Sequence, residues 1–225
     1  MKIIDAKGRQ DGGSGYTRVL GNEKLGQLIS RIQATVISNG TELERIIVSK
    51  TNCIDDLDVF INDVTYANKE DGVYLCQKRI LKKSKYAYKG IEPDLLIFIV
   101  QKKRICKVIE LKDGDNFDTK KSESEREHLE QFAIHFGAKI PFITEFYICC
   151  FNQEDKDNIR EGFKNKFEIE HIMTGRELCE TLKIDYESII NQRKIDMEDN
   201  FSYFINELLE IDDVKELIEK RIYVD

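Results

Sequence analysis

The stretch "EPDLLIFIVQKKRICKVIELKDG", Glu92 to Gly114, confines the fold more than any other part of the chain. It holds two apolar runs, Leu95 to Val100 and Ile105 to Leu111, rich in β-branched and aromatic side chains and parted by a short polar interruption. Such runs read as buried strands, and a connection this brief makes them an antiparallel hairpin. With the pairing centre near Lys102, Asp94 stands opposite Glu110. Opposed residues of an antiparallel pair point to one face, roughly 5 Å apart. Glu110 and Lys112 share that face because side chains alternate with period two. Asp94, Glu110 and Lys112 therefore converge at one end of the hairpin. A register slipped by one residue would send the two acids to opposite faces, so the arrangement requires an odd-length turn or a bulge.

Charges at the ends of buried strands are costly unless they are paired or coordinate a metal. Two carboxylates this close repel one another unless a cation lies between them. Mg²⁺ suits such a pair, because it prefers oxygen ligands and is often held by one or two carboxylates together with substrate phosphate. A lysine beside the pair can orient an attacking water or stabilise charge growing on a phosphate. The combination suits hydrolysis of a phosphodiester; the other reading is an exposed strand end at Glu110 and Lys112, with Asp94 capping the entry.

Around the hairpin, strands are also expected at Val59 to Ile61, Val73 to Cys76, Phe142 to Phe151 and Phe167 to Met173. Helices are expected before, between and after them. Leu25, Leu28, Ile29, Ile32 and Val36 recur at helical spacing up to a stop at Gly40, and Leu43, Ile46 and Ile47 begin a second helix. Leu129, Phe132, Ala133 and Phe136 form another stripe, opened by a capping box at Ser122 and Glu125 and closed by Gly137. A second capping box, Thr174 with Glu177, precedes Leu178 and Leu182. The glycine-rich Gly8 to Gly21 reads as a loop or arm, and Glu198 to Ile222 as one or two amphipathic helices. The pattern predicts an α/β (α+β) fold with a central mixed β-sheet flanked by helices.

The sequence contains no apolar stretch approaching the roughly 18 residues that cross a bilayer. Its N-terminus lacks a secretory apolar core, which makes the cytoplasm the expected location. No phosphate-binding loop for a nucleotide is present. Six cysteines lie without metal-ligand spacing and read as reduced core thiols.

The net charge of −7 lies entirely in the tail, where residues 195–225 hold ten acids against three bases. The run from Lys78 to Lys89 has six bases and no acid, with two tyrosines interleaved. It reads either as a phosphate-binding stripe or as a strand edge kept apart from other edges by lysines. Further along, Asp118 or Thr119 can cap a helix whose first turn carries Lys120 and Lys121, which reads either as a phosphate site or as two solvated lysines. Lys120, Lys121 and Asn116, with Lys82 and Lys83, are the candidate DNA contacts.

Pro93-Asp94, fifteen intervening residues and then Glu110-Leu111-Lys112 resemble the signature of the PD-(D/E)xK nuclease superfamily, in particular its type II restriction endonucleases. "ELKDGDNFDTKKS" and "MTGRELCETLKIDY" are also similar to stretches of such enzymes. The resemblance implies a restriction-endonuclease-like fold over a single nuclease domain, 1–225, with 195–225 an acidic helical segment. It implies Asp94, Glu110 and the carbonyl of Leu111 as ligands of Mg²⁺, with Lys112 placing the nucleophilic water. It also implies a further acid from an early helix, for which Glu44 fits better than Glu42. The expected protein is a homodimeric, site-specific endonuclease of double-stranded DNA that uses no nucleotide cofactor. Two other readings stay open at this stage, a structure-specific repair or junction-resolving nuclease of the same fold and a catalytically silent DNA-binding or scaffold domain.

Overall fold

The computed structural model describes residues 1–8, 15–88, 90–115 and 119–222. The chain divides into two compact units, one formed by 1–44 with 187–225 and the other by 45–186. Among the described residues no helix is long and apolar enough to cross a membrane.

The 45–186 unit is built on a five-stranded sheet with strands in chain order: β1 (Gly72–Gln77), β2 (Leu95–Val100), β3 (Ile105–Lys112), β4 (Ile143–Cys150) and β5 (Ile172–Thr174). The first three strands are antiparallel and the last three parallel, so the sheet is mixed and β3 lies at its centre. Parallel pairing requires a crossover. Helix α5 (Thr119–Gly137) carries the chain from β3 to β4, and α6 (Lys156–Gly162) from β4 to β5.

One face of the sheet presents Leu96, Phe98, Cys106, Val108, Ile148 and Cys150. Leu129, Phe132, Ala133 and Phe136 of α5 pack into this same core, as do Ile159 of α6 and Phe60 of α3 (Leu57–Thr65). The opposite face is also buried at Leu75, Ile97, Ile109, Cys149 and Met173. Helix α7 (Gly175–Leu182) follows β5 directly. Thr174 accepts the amide of Glu177 while the Glu177 carboxylate accepts the amide of Thr174, so the capping box is complete.

Several elements depart from the sequence reading. Val59 to Ile61 lie in α3 and not in a strand. Asp56 caps this helix by accepting the amides of Asp58 and Val59, and Leu57, Phe60, Ile61 and Val64 are buried at helical spacing. Gly40 does not end a helix, because α2 runs unbroken over Glu23–Ser49. One glycine costs a helix only about 1 kcal/mol, and the buried Leu43 and Ile47 sustain the helix beyond it. Val36, expected in the stripe, is exposed. Ser122 lies inside α5 and is buried, so the helix does not begin at it as expected but at Thr119. Lys78 onward forms the short helix α4 (Lys78–Leu81) and then turns, not a strand edge. Of the presumed loop from Gly8 to Gly21, residues 9–14 lie outside the described residues and Gly15–Leu20 is the helix α1.

The other unit contains α1, the N-terminal part of α2, most of α8 (Tyr186–Leu209), and α9 (Asp212–Ile222). Several of its acids are paired inside the unit. The Met1 ammonium pairs with Glu42 and, at 2.9 Å, with Asp196. Asn22 donates to Asp213 at 2.6 Å, and Arg31 donates to the Tyr203 hydroxyl at 2.6 Å with Glu207 3.8 Å away. The acidic tail is therefore helical and serves in part to hold the N-terminal segment.

All six cysteines are free, and burial pushes the Cys76, Cys150 and Cys179 thiols up to about 12. These three remain protonated core side chains, and Cys106 and Cys149 are buried with them while Cys53 is half-buried.

Candidate active site

The β2 and β3 register pairs Leu95 with Ile109 and Ile99 with Ile105. Five residues, 100–104, lie between the paired Ile99 and Ile105, the odd number that convergence of the two acids requires. One step beyond the last pair, Asp94 comes level with Glu110. Strand alternation puts Asp94 on the face of Leu96 and Phe98, and Glu110 and Lys112 on the face of Cys106 and Val108. The three charged groups thus continue the apolar face covered by α5, at the end where β2 begins and β3 finishes.

Each group is held in place. Asp94 Oδ2 accepts the main-chain amide of Leu111 at 3.0 Å, which ties the two strand ends together. Asp94 Oδ1 lies 3.3 Å from Lys78 Nζ, and the Lys78 amide donates to the Asp94 carbonyl at 3.2 Å. Lys112 Nζ donates to Glu110 Oε1 at 2.6 Å and to Glu125 Oε1 at 3.1 Å. The side chains of Glu110 and Lys112 are only 14% and 16% exposed, so water screens their interaction weakly.

That burial, with the nearby Asp94 charge adding to it, pushes the Glu110 carboxyl up to about 7 against the pull of Lys112. Burial works against the Lys112 ammonium as well, but Glu110 and Glu125 outweigh it and hold its pKa above the ordinary lysine value. Lys112 stays charged, while Glu110 is divided between its two forms near neutrality. This is how two neighbouring acids behave when the cations around them do not fully balance their charge. A pair of carboxylates with charge still to be neutralised, and a main-chain carbonyl between Glu110 and Lys112, fits a hard divalent ion. Among the described residues no cluster of three acidic, histidine or cysteine side chains is poised to bind a metal, so further ligands would be main-chain oxygen, water or substrate.

The other candidates are spread more widely. Lys120 and Lys121 are exposed in the first turn of α5. Lys82 is paired with Glu92 at 2.7 Å, and Lys83 lines a small cavity with Asp55, Asp56 and Asp58. Asn116 lies outside the described residues, as does Asp118. Glu44 is half-buried on α2 in the other unit, where Glu42 is engaged by Met1. Two contacts of the site were missed by the sequence reading, Lys78 on Asp94 and Glu125 on Lys112. The signal for Glu125 was available. An acid three residues after Ser122 and four before Leu129 falls on the buried stripe of α5.

A mixed sheet whose central hairpin ends in two acids and a lysine, enclosed by helices, is consistent with the PD-(D/E)xK nucleases that the sequence resembles. The type II restriction enzyme HhaII of Haemophilus parahaemolyticus is 60% identical over 223 residues, covering 97% of this chain and 98% of that protein. The chain belongs to the type II restriction endonucleases. This family membership displaces the repair-nuclease and silent-scaffold readings. No protein-family model matches the chain, and no solved structure does.

Proposed function

We propose that this site-specific endonuclease cuts double-stranded DNA with Mg²⁺ held at Asp94, Glu110 and the Leu111 carbonyl. The observation that carries the reading is the level placement of Asp94 and Glu110, with Lys112 Nζ 2.6 Å from Glu110. When bound, the ion supplies Lewis-acid stabilisation of charge on the scissile phosphate.

The chain's own groups do the rest. Asp94 is fixed by the Leu111 amide and the Lys78 ammonium, so its carboxylate does not need to be ordered when substrate arrives. Lys112 keeps a positive charge beside Glu110, where it orients the attacking water and stabilises negative charge growing on phosphate oxygen. Lys120 and Lys121 at the start of α5, joined by Lys82, Lys83 and Asn116, are the proposed backbone contacts, and the positive end of the α5 dipole adds to the first two. Glu44 is proposed as an additional acid on the resemblance. Its preference over Glu42 is supported by the pairing of Glu42 with Met1. Glu44→Gln should slow cleavage several-fold more than Glu42→Gln in a plasmid assay, and equal rates would remove Glu44 from the set.

The whole chain, 1–225, is proposed to act as one nuclease protein and as a homodimer. Two-fold symmetry would give each strand of a palindromic site its own catalytic set. Location in the cytoplasm, where incoming DNA is met, accords with six free thiols. The test is incubation of the purified protein with phage DNA and Mg²⁺, followed by sequencing of the ends. Discrete fragments with one shared end sequence, abolished by a chelator, are expected. A smear, or cleavage indifferent to the chelator, would overturn the proposal.

A further inference from the structure

We infer that Glu125 is a positioning residue for Lys112, so that the site draws on an acid from α5 in addition to those of the hairpin. The inference rests on the reading of Asp94, Glu110 and Lys112 as the catalytic set. Lysine carries its charge on a flexible four-carbon stem. A single ion pair leaves such a group free to swing, whereas acceptors on two different elements fix it. Lys112 Nζ has both, Glu110 Oε1 at 2.6 Å on its own strand and Glu125 Oε1 at 3.1 Å on the helix.

The position of Glu125 in α5 supports a dedicated role. Ser122, Leu129, Phe132, Ala133 and Phe136 form the buried stripe, and Glu125 occupies the stripe position between Ser122 and Leu129. Its side chain is only 21% exposed. An ionised carboxylate there is unfavourable without a partner, and Lys112 is that partner. An apolar residue would complete the stripe with less desolvation. The arrangement also gives Lys112 an anchor that does not depend on Glu110. When the Glu110 carboxylate turns toward an ion or substrate, Glu125 still holds the ammonium at the strand end.

The test compares wild type, Glu125→Ala, Glu125→Gln and Lys112→Met. Single-turnover cleavage, DNA affinity without divalent ion, and acylation of individual lysines in the metal-free protein, read by peptide mass spectrometry, are measured for each. Glu125→Ala should lower the cleavage rate constant about tenfold or more and leave DNA affinity within about twofold, because an interaction used in the chemical step is lost and binding is not. In the same variant Lys112 should be acylated about threefold faster or more, with Lys102 in the hairpin turn unchanged, since a released ammonium is more accessible. Glu125→Gln keeps an acceptor oxygen and should recover part of both effects. If Glu125→Ala does not fold, Glu125→Gln carries the test, and a lowered rate with faster Lys112 acylation supports the inference. Unchanged cleavage, or slowed cleavage with Lys112 acylation unchanged, would overturn it and reduce Glu125 to a clip between helix and strand. Lys112→Met separates the two levels of the argument. If that variant is inactive and Glu125→Ala is normal, only Glu125 falls. If Lys112→Met cuts normally, the catalytic set falls and Glu125 with it.

Discussion

Asp94 and Glu110 each face a conflict that a simple packing residue would not. They stand side by side at the edge of an apolar core, and the cations near them do not fully balance their charge. Either Asp94→Ala or Glu110→Ala should lower cleavage by about a thousandfold or more, since each removes a group used in the chemical step. DNA binding, measured without divalent ion, should be unchanged or tighter because repulsion against phosphate falls. The Glu110 titration also predicts a stability effect. Its folded pKa of about 7 lies above the ordinary 4.5, so folding favours the protonated form. The penalty is absent below the unfolded value, grows as pH rises between the two, and is complete above about 7. Glu110→Gln should therefore stabilise the metal-free protein at pH 8 by on the order of 1 to 3 kcal/mol, with the gain vanishing near pH 4, because one pKa unit corresponds to about 1.4 kcal/mol. Denaturant melts across that range in chelator will measure it.

At the scale of elements, the junction between β5 and α7 is the most tightly specified. Thr174 and Glu177 satisfy each other's amides, and Gly175 starts the helix against the backbone of Phe151. A Cβ at Gly175 would collide with the Phe151 carbonyl oxygen, and a main-chain atom cannot rotate away as a side chain can. Phe151 directly follows β4, and its amide donates to the Lys112 carbonyl at 2.9 Å. The glycine thus supports the strand end that carries the site. Gly175→Ala should cost about 1 to 3 kcal/mol as an overpacking substitution. A melting temperature equal to wild type would show that the contact relaxes without cost.

For the molecule as a whole, a formal charge of −7 has to be reconciled with DNA as the substrate. Residues 1–194 are neutral in sum, and part of the tail's charge is matched by Met1, Lys2 and Arg31 within its own unit. Lys120 and Lys121 stand exposed in the first turn of α5, where the helix dipole favours an anion, which makes the start of α5 the stronger phosphate candidate. Each neutralised phosphate contributes about −0.9 to the slope of log affinity against log salt. Replacing Lys120 and Lys121 with alanine should flatten that slope by roughly one to two units. Cognate and non-cognate DNA should weaken alike, because phosphate contacts position the duplex without reading it. A double variant with the full slope would transfer the role to the run beginning at Lys78.

What the sequence determined by itself is what depends on neighbours along the chain. Alternation within Leu95 to Val100 and Ile105 to Leu111 placed Asp94 level with Glu110 on condition of a turn of odd length, and the pairing of Ile99 with Ile105 met that condition. Thr174 and Glu177 announced their own helix start. The tertiary structure decided the features in which local signals compete or are silent. "LDVFI" is apolar enough for a strand, and it became α3 because Asp56 caps it and the α5 side of the sheet buries its helical face. Gly40 could end a helix or be carried through one, and burial of Leu43 and Ile47 settled the outcome. The partners of the site charges were least legible. Lys78 meets Asp94 from 16 residues away and Glu125 meets Lys112 from 13; periodicity puts Glu125 on the buried stripe of α5 but does not encode which strand end that stripe meets. An ion pair is a distance in space, and the fold sets that distance by laying α5 against β3.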